Sequence, residues 1–117
     1  MRNPYRLRVT ENAFVIAERT YEVTSEFPGC ERFGLVTQMR RAAVSIGSNI
    51  AEGCGRSTDA QLVNFLNYAS GSASELEFQA RLVIRLGLGR APDLLELCDL
   101  LTSERKMLAT YARSFTL

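Results

Sequence analysis

The stretch at residues 38–56, QMRRAAVSIGSNIAEGCGR, decides the fold of this chain. With Leu35 just ahead of it, Met39, Ala42, Ile46, Ile50 and Cys54 recur every three or four positions, which lays one apolar stripe along a helix. A second stripe is small: Ala43, Gly47, Ala51 and Gly55 repeat every fourth residue, so a neighbouring element can approach the backbone closely on that side. A third stripe is polar and holds Ser45, Asn49 and Glu52. A helix with three such faces has more than one neighbour.

Outward from this segment the same period continues in both directions. Val9, Ala13, Ile16, Thr20, Val23 and Phe27 predict a first helix over about 10–26, stopped by Pro28 and Gly29. The second helix is expected over about 32–54, closed by a left-handed residue from the run Gly53, Cys54, Gly55. Thr58 followed by Gln61 reads as a capping box, with Asp59 in the first turn where the helix dipole favours negative charge. The third helix then carries Leu62, Phe65, Leu66, Ala69, Ala73, Leu76, Ala80, Val83 and Leu86, and ends at Gly87 or Gly89. Pro92 and Asp93 open a fourth, whose stripe is Leu94, Leu97, Leu101, Leu108, Tyr111 and Phe115.

Helices joined by such short breaks fold back on one another. The expected fold is all-α, an antiparallel up-down-up-down four-helix bundle occupying residues 1–117 as one domain. Folding the central hairpin about Arg56 and Ser57 sets Ser45 level with Tyr68, Asn49 with Asn64 and Arg41 with Ser72. It also brings Arg40 within reach of Glu75. The polar stripe has two readings: a wetted face, or a network in which Ser45, Asn49, Glu52, Asn64, Ser72 and Glu75 meet between helices or between subunits. An unmet buried polar atom costs about 1–3 kcal/mol, so the second reading requires partners.

Composition narrows the chemistry. A chain of 117 residues, 46% hydrophobic, buries enough surface to fold without disulfides or metals. Histidine is absent, which excludes Ser-His and Cys-His nucleophilic pairs, Glu and His di-iron sites, and histidine zinc sites. Cys30, Cys54 and Cys98 are odd in number and widely spaced, and are expected to be reduced, buried, small hydrophobes. Arg2, Arg6, Arg8 and Glu11 precede an apolar run of only five residues, Ala13 to Ala17, so neither a leader peptide nor a membrane span is expected, and the location read from this is cytoplasmic. Neither a cofactor nor a small-molecule substrate is indicated.

Together with the residues after it, the 38–56 segment resembles the four-helix-bundle proteins named after the intervening sequences of bacterial 23S rRNA, relatives of the accessory variability proteins of retroelements. Their pattern reads roughly RRAAVSIPSNIAEG followed by a GR pair. The likeness continues through Phe65, Leu66, Gly71, Ser72, Glu75, Leu76 and Glu77, and spans about residues 33–87. Gly47 stands where the family usually has proline, and Arg8, Val9, Thr10, Glu11 lacks the tryptophan that often follows the family's first valine. Proline would remove a helical hydrogen bond, whereas glycine only weakens the helix by about 1 kcal/mol relative to alanine. The resemblance implies a homo-oligomer, a ring of five bundles, with links to RNA or to a ribonucleoprotein partner.

Three functions compete on these residues. The first is a non-enzymatic oligomeric scaffold that associates with RNA. The net charge is only +1, but the segment 32–57 holds Arg32, Arg40, Arg41 and Arg56 against Glu52, and the bundle topology gathers Arg2, Arg6, Arg8, Arg56 and Arg113 at one tip. The second is a protein-interaction module with no nucleic-acid role, favoured by the near-neutral charge; Phe14, Val36, Val44 and Tyr68, lying outside the main stripes, point to association with further copies of the chain. The third is an enzyme using Glu52 and Glu75 as acid and base, which lacks any accompanying nucleophile, metal cluster or glycine loop.

Overall fold

The computed structural model describes residues 2–29 and 32–115; the side chains of Arg32 and Phe33, and Cys30 with the expectation attached to it, lie outside the described set. Among the described residues four α-helices form: α1 (Arg8–Thr24), α2 (Thr37–Cys54), α3 (Asp59–Leu86) and α4 (Ala91–Arg113). A short 3-10 turn, Pro4–Arg6, precedes α1, with Asn3 Oδ1 accepting from the Tyr5 N–H at 3.0 Å. The molecule is elongated, 45 × 22 × 20 Å.

Local chemistry explains most boundaries. Thr58 is extended and its Oγ1 accepts from the Gln61 N–H at 3.2 Å, which satisfies one of the free donors of the α3 start. Replacing Thr58 by alanine is expected to lower stability by about 1 kcal/mol in urea unfolding. At the other end Gly87 adopts φ 75°, its N–H donates to Ile84 O, and the Leu88 N–H donates to Val83 O, the pairing of a Schellman closure. Pro92 sits in the first turn of α4, where its missing N–H costs nothing.

Two boundaries differ from expectation. The second helix does not run smoothly from residue 32: a widened turn over Arg32–Val36 is interrupted at Gly34 (φ −105°, ψ −105°), and regular geometry starts at Thr37. At its far end no left-handed residue closes α2. Gly55 keeps φ −84°, and positive φ among the described residues belongs to Gly87 and Gly89 alone. The reason for glycine at position 53 is proximity instead. A Cβ there would stand 2.7 Å from Phe65 Cβ and 3.0 Å from Leu62 Cδ1, so α3 crosses α2 closely just above their turn.

The core consists of the expected stripes, except that Leu86, the last residue of α3, is 56% exposed, and that Leu35, Phe65, Tyr111 and Phe115 are half-buried at its margin. Ile16, Met39, Ile46, Ile50, Leu62, Leu66, Leu76, Leu94, Leu97, Leu101 and Leu108 are fully enclosed. Thr20 and Thr24 are also buried, and return their hydroxyl protons to Ile16 O (2.7 Å) and Thr20 O (2.6 Å). The small stripe of α2 faces α1, where a Cβ on Gly47 would meet that of Ala13 at an ordinary 3.6 Å. Paired positions run in opposite numerical senses: Asn12 reaches Glu104 while Arg19 reaches Glu96, and Arg2 reaches Cys54 while Thr24 reaches Arg40. Val36, expected outside the main stripes, belongs to the core: it lies three and seven residues before the buried Met39 and Ala43, on the same inward face.

Candidate functional site

The end of the molecule where α1 and α3 begin and α2 and α4 finish gathers five arginines. The Arg2 N–H donates to Cys54 O at 3.0 Å, its guanidinium pairs with Asp59 of α3, and the same group lies 4.8 Å from the Phe115 ring centroid. Arg6 and Arg8 adjoin it along the chain, Arg56 follows α2, and Arg113 sits in the last turn of α4. Their charges are balanced unevenly. Arg2 is neutralised by Asp59, and Arg56 by Glu52 at 2.8 Å while stacking over Phe65. Arg113 reaches only the Thr110 hydroxyl, and Arg6 and Arg8 stand exposed with no carboxylate partner among the described residues.

Arg40 and Arg41 lie elsewhere. Arg40 does not pair with Glu75. It turns to α1, donating from Nε to Thr24 Oγ1 at 3.0 Å and from Nη2 to Tyr21 O, with its guanidinium 4.4 Å from the Tyr21 ring centroid. Arg40 thus ties α1 to α2, because the Tyr21 face and a backbone carbonyl offer the planar cation more than a distant exposed carboxylate does. Arg41 points to solvent.

The polar stripe makes its hydrogen bonds along its own helices. Asn49 Nδ2 donates to the Ser45 carbonyl at 2.8 Å, Glu52 takes Arg56, and Glu75 accepts from Gln79 Nε2 at 3.4 Å. Ser45, Asn49 and Ser72 are half-buried, whereas Glu52, Asn64 and Glu75 are exposed. Glu52 is held by Arg56, two residues past the end of α2, and Glu75 by Gln79 of α3, and the two carboxylates share no site.

Tyr21, Leu86 and Leu95 are exposed singly, and other exposed apolar side chains fall into groups, one on α3 and one between α1 and α2. On α3, Asn64, Tyr68, Gly71, Glu75 and Phe78 follow one another at helical spacing on the solvent side, with Tyr68 59% and Phe78 69% exposed. Nothing lies within 4 Å of where a Gly71 Cβ would be, so no neighbour in this subunit accounts for glycine in mid-helix. Between α1 and α2 a groove of about 270 Å³ is lined by Tyr5, Phe14, Ala17, Val44, Gly47 and Ala51, with the Tyr5 and Phe14 rings stacked at 6.4 Å.

One buried ionisable group escaped the sequence reading. Glu104 of α4 is 0% exposed; its Oε1 accepts from Asn12 Nδ2 of α1 at 3.2 Å and its Oε2 meets no donor. Burial pushes its carboxyl up to about 7, against a smaller downward pull from the Asn12 amide. The signal was present in the sequence: the α4 stripe steps 94, 97, 101 and then 108, and the skipped slot is 104. Gln79 on α3 is also enclosed, and its Oε1, like Glu104 Oε2, meets no donor. Cys54 and Cys98 are free, buried thiols, each raised above the usual range by burial. Among the described residues no cluster of three acidic or thiol side chains has the arrangement of a metal site, and no helix is long and apolar enough to cross a membrane.

Four packed helices with surface grooves, outward aromatic residues and, among the described residues, a single enclosed carboxylate define a small helical-bundle protein whose distinctive features are surfaces. The sequence profile of the 23S rRNA-intervening sequence protein family matches residues 5–110, and the chain belongs to that family. A crystal structure of a protein with unknown function from the S23 ribosomal protein family of Bacteroides thetaiotaomicron VPI-5482 superposes with a TM-score of 0.82. The two share 24% identity over 90% of this chain and 95% of the other, a likeness of fold. No curated protein matches.

Proposed function

We propose that this chain is a non-enzymatic scaffold: an up-down-up-down bundle that associates with copies of itself through the outer side of α3. The observation that carries this is the exposed row Asn64, Tyr68, Gly71, Glu75 and Phe78. Aromatic residues bury large areas at interfaces, and a glycine between them lets a second backbone approach. Glycine in mid-helix costs about 1 kcal/mol relative to alanine, a cost that an interface offsets and that a solvated surface does not. A head-to-tail contact of this kind closes into a ring when its rotation permits, and the family resemblance points to five copies. The polar residues in and beside the row, Glu75 and Ser72 among them, then meet across subunits.

Light scattering tests it. The wild-type chain is expected at a multiple of its 13.0 kDa mass, and Tyr68→Ser combined with Phe78→Ser at the mass of one chain with unchanged helical circular dichroism. A wild-type monomer at micromolar concentration sinks the proposal.

RNA association is the second reading, favoured by the absence of carboxylate partners at Arg6, Arg8 and Arg41 among the described residues. Filter binding with a structured RNA at 50 and 200 mM salt is expected to show affinity falling steeply with salt, as phosphate contacts require. No retention at the lower salt removes this reading and leaves the protein scaffold.

A further inference from the structure

The valley between the start of α1 and the end of α4 shares no residue with the α3 row. Leu7, Val9, Met107 and Tyr111 line it with apolar surface, Arg8 stands on the α1 side and Lys106 on the α4 side, and the space between them is about 460 Å³. Both cations are exposed, and neither has a carboxylate partner among the described residues. Arg6 and Arg113 add to the surplus at this end, against Glu11 one turn along α1.

We propose that this valley docks a short amphipathic helix of a partner protein, apolar on the ridge it inserts and acidic along both flanks. The shape selects a helix. From Lys106 to Ser114 the α4 side runs about 12 Å, two helical turns, which matches a ridge of three apolar side chains at i, i+3 or i+4, and i+7. The valley is open along its length. An alkyl chain lying in it would keep much of its surface in water, whereas a helix brings its own polar back. Charge selects the flanks, since carboxylates on either side of the ridge meet Arg8 and Lys106. Phosphates of RNA would use the two cations but leave Leu7 and Met107 with nothing to bury against.

The test uses the full chain and a fluorescein-labelled synthetic 16-residue helix with leucines on one face and glutamates beside them. Its counterpart carries lysines in place of the glutamates. Anisotropy titration is expected to show saturable binding of the acidic peptide and at least tenfold weaker binding of the basic one. Arg8→Glu combined with Lys106→Glu should weaken the acidic peptide at least tenfold and improve the basic one. Both positions are exposed, and glutamate in the first turn of α1 suits the helix dipole, so the variant should keep wild-type helicity. Amide shifts on titration should centre on Leu7, Val9, Met107 and Tyr111. Equal binding of the two peptides, shifts centred elsewhere, or displacement of the peptide by dodecanoate or by single-stranded RNA from these residues each overturns the proposal. A fall in solution mass on charge reversal would assign the valley to a second copy and overturn it too. Failure here is distinct from failure of self-association, which is read from Tyr68 and Phe78.

Discussion

Urea unfolding of the Glu104→Gln variant is expected to lose a pH dependence that the wild-type chain shows between about pH 4.5 and 7. The enclosed carboxyl holds its proton to about 7, while in the unfolded chain it returns to the ordinary 4.5. Below that lower value both states are protonated and burial is tolerated. As pH rises from 4.5 toward 7 the unfolded chain releases the proton and the folded chain keeps it, so the unfolded state gains and stability falls. Above about 7 the folded state ionises as well and the loss levels off. The gap corresponds to a total of about 3 kcal/mol, an upper figure because local opening can wet the carboxylate.

Glutamine keeps an oxygen for Asn12 to donate to, but puts an amide nitrogen where Oε2 now stands without a partner. Relative to the neutral acid, that substitution costs about 1–3 kcal/mol. The wild-type and variant curves are therefore expected to converge or cross: the wild type more stable at pH 5, the variant at least equal at pH 8. Parallel curves across this range would show that Glu104 is not enclosed as a neutral acid.

How much of this was legible in the sequence depends on which physical rule each feature obeys. Thr58, Gly87 and Pro92 obey local rules, since a cap or a left-handed closure is settled within five residues, and each stands where the sequence placed it. The inward stripes follow from period alone, and every stripe residue from Val9 to Phe27 is buried. Partners are another matter. Helical period says that Arg40 lies near a boundary of the core but not which neighbour it meets, and Tyr21 with Thr24 offered a closer match than Glu75. Glu104 was hidden because a glutamate in an apolar stripe is ordinarily an interruption, yet the period continues through it to Leu108. Family membership was carried by the 38–56 segment, whose small and apolar positions pack against α1 and α3. The site residues drawn from that segment do not gather into one site: Arg40 braces α1, Arg56 is held by Glu52, and Arg41 faces solvent.

Gly53→Ala tests the crossing that holds the central hairpin together. The new methyl would stand 2.7 Å from Phe65 Cβ, 3.0 Å from Leu62 Cδ1 and 3.3 Å from Leu62 O. Two of these three atoms are a Cβ and a backbone oxygen, which move only if α3 itself moves, so the strain cannot be relieved by rotating a side chain. Separation of α2 and α3 near their turn also disturbs the Arg56 guanidinium over Phe65 and the Thr58 cap that starts α3. Overpacking of this kind costs about 1–3 kcal/mol, against a gain of about 1 kcal/mol from alanine's helix propensity, for a net loss in urea unfolding. Gly71→Ala is the matched control in mid-α3: with open space around the added methyl, the monomer should gain up to about 1 kcal/mol. If the outer side of α3 is where copies meet, that gain comes with weaker self-association. A Gly53→Ala chain as stable as wild type would place the hairpin crossing wider than 2.7 Å allows, and would return glycine 53 to the status of an ordinary helix-end residue.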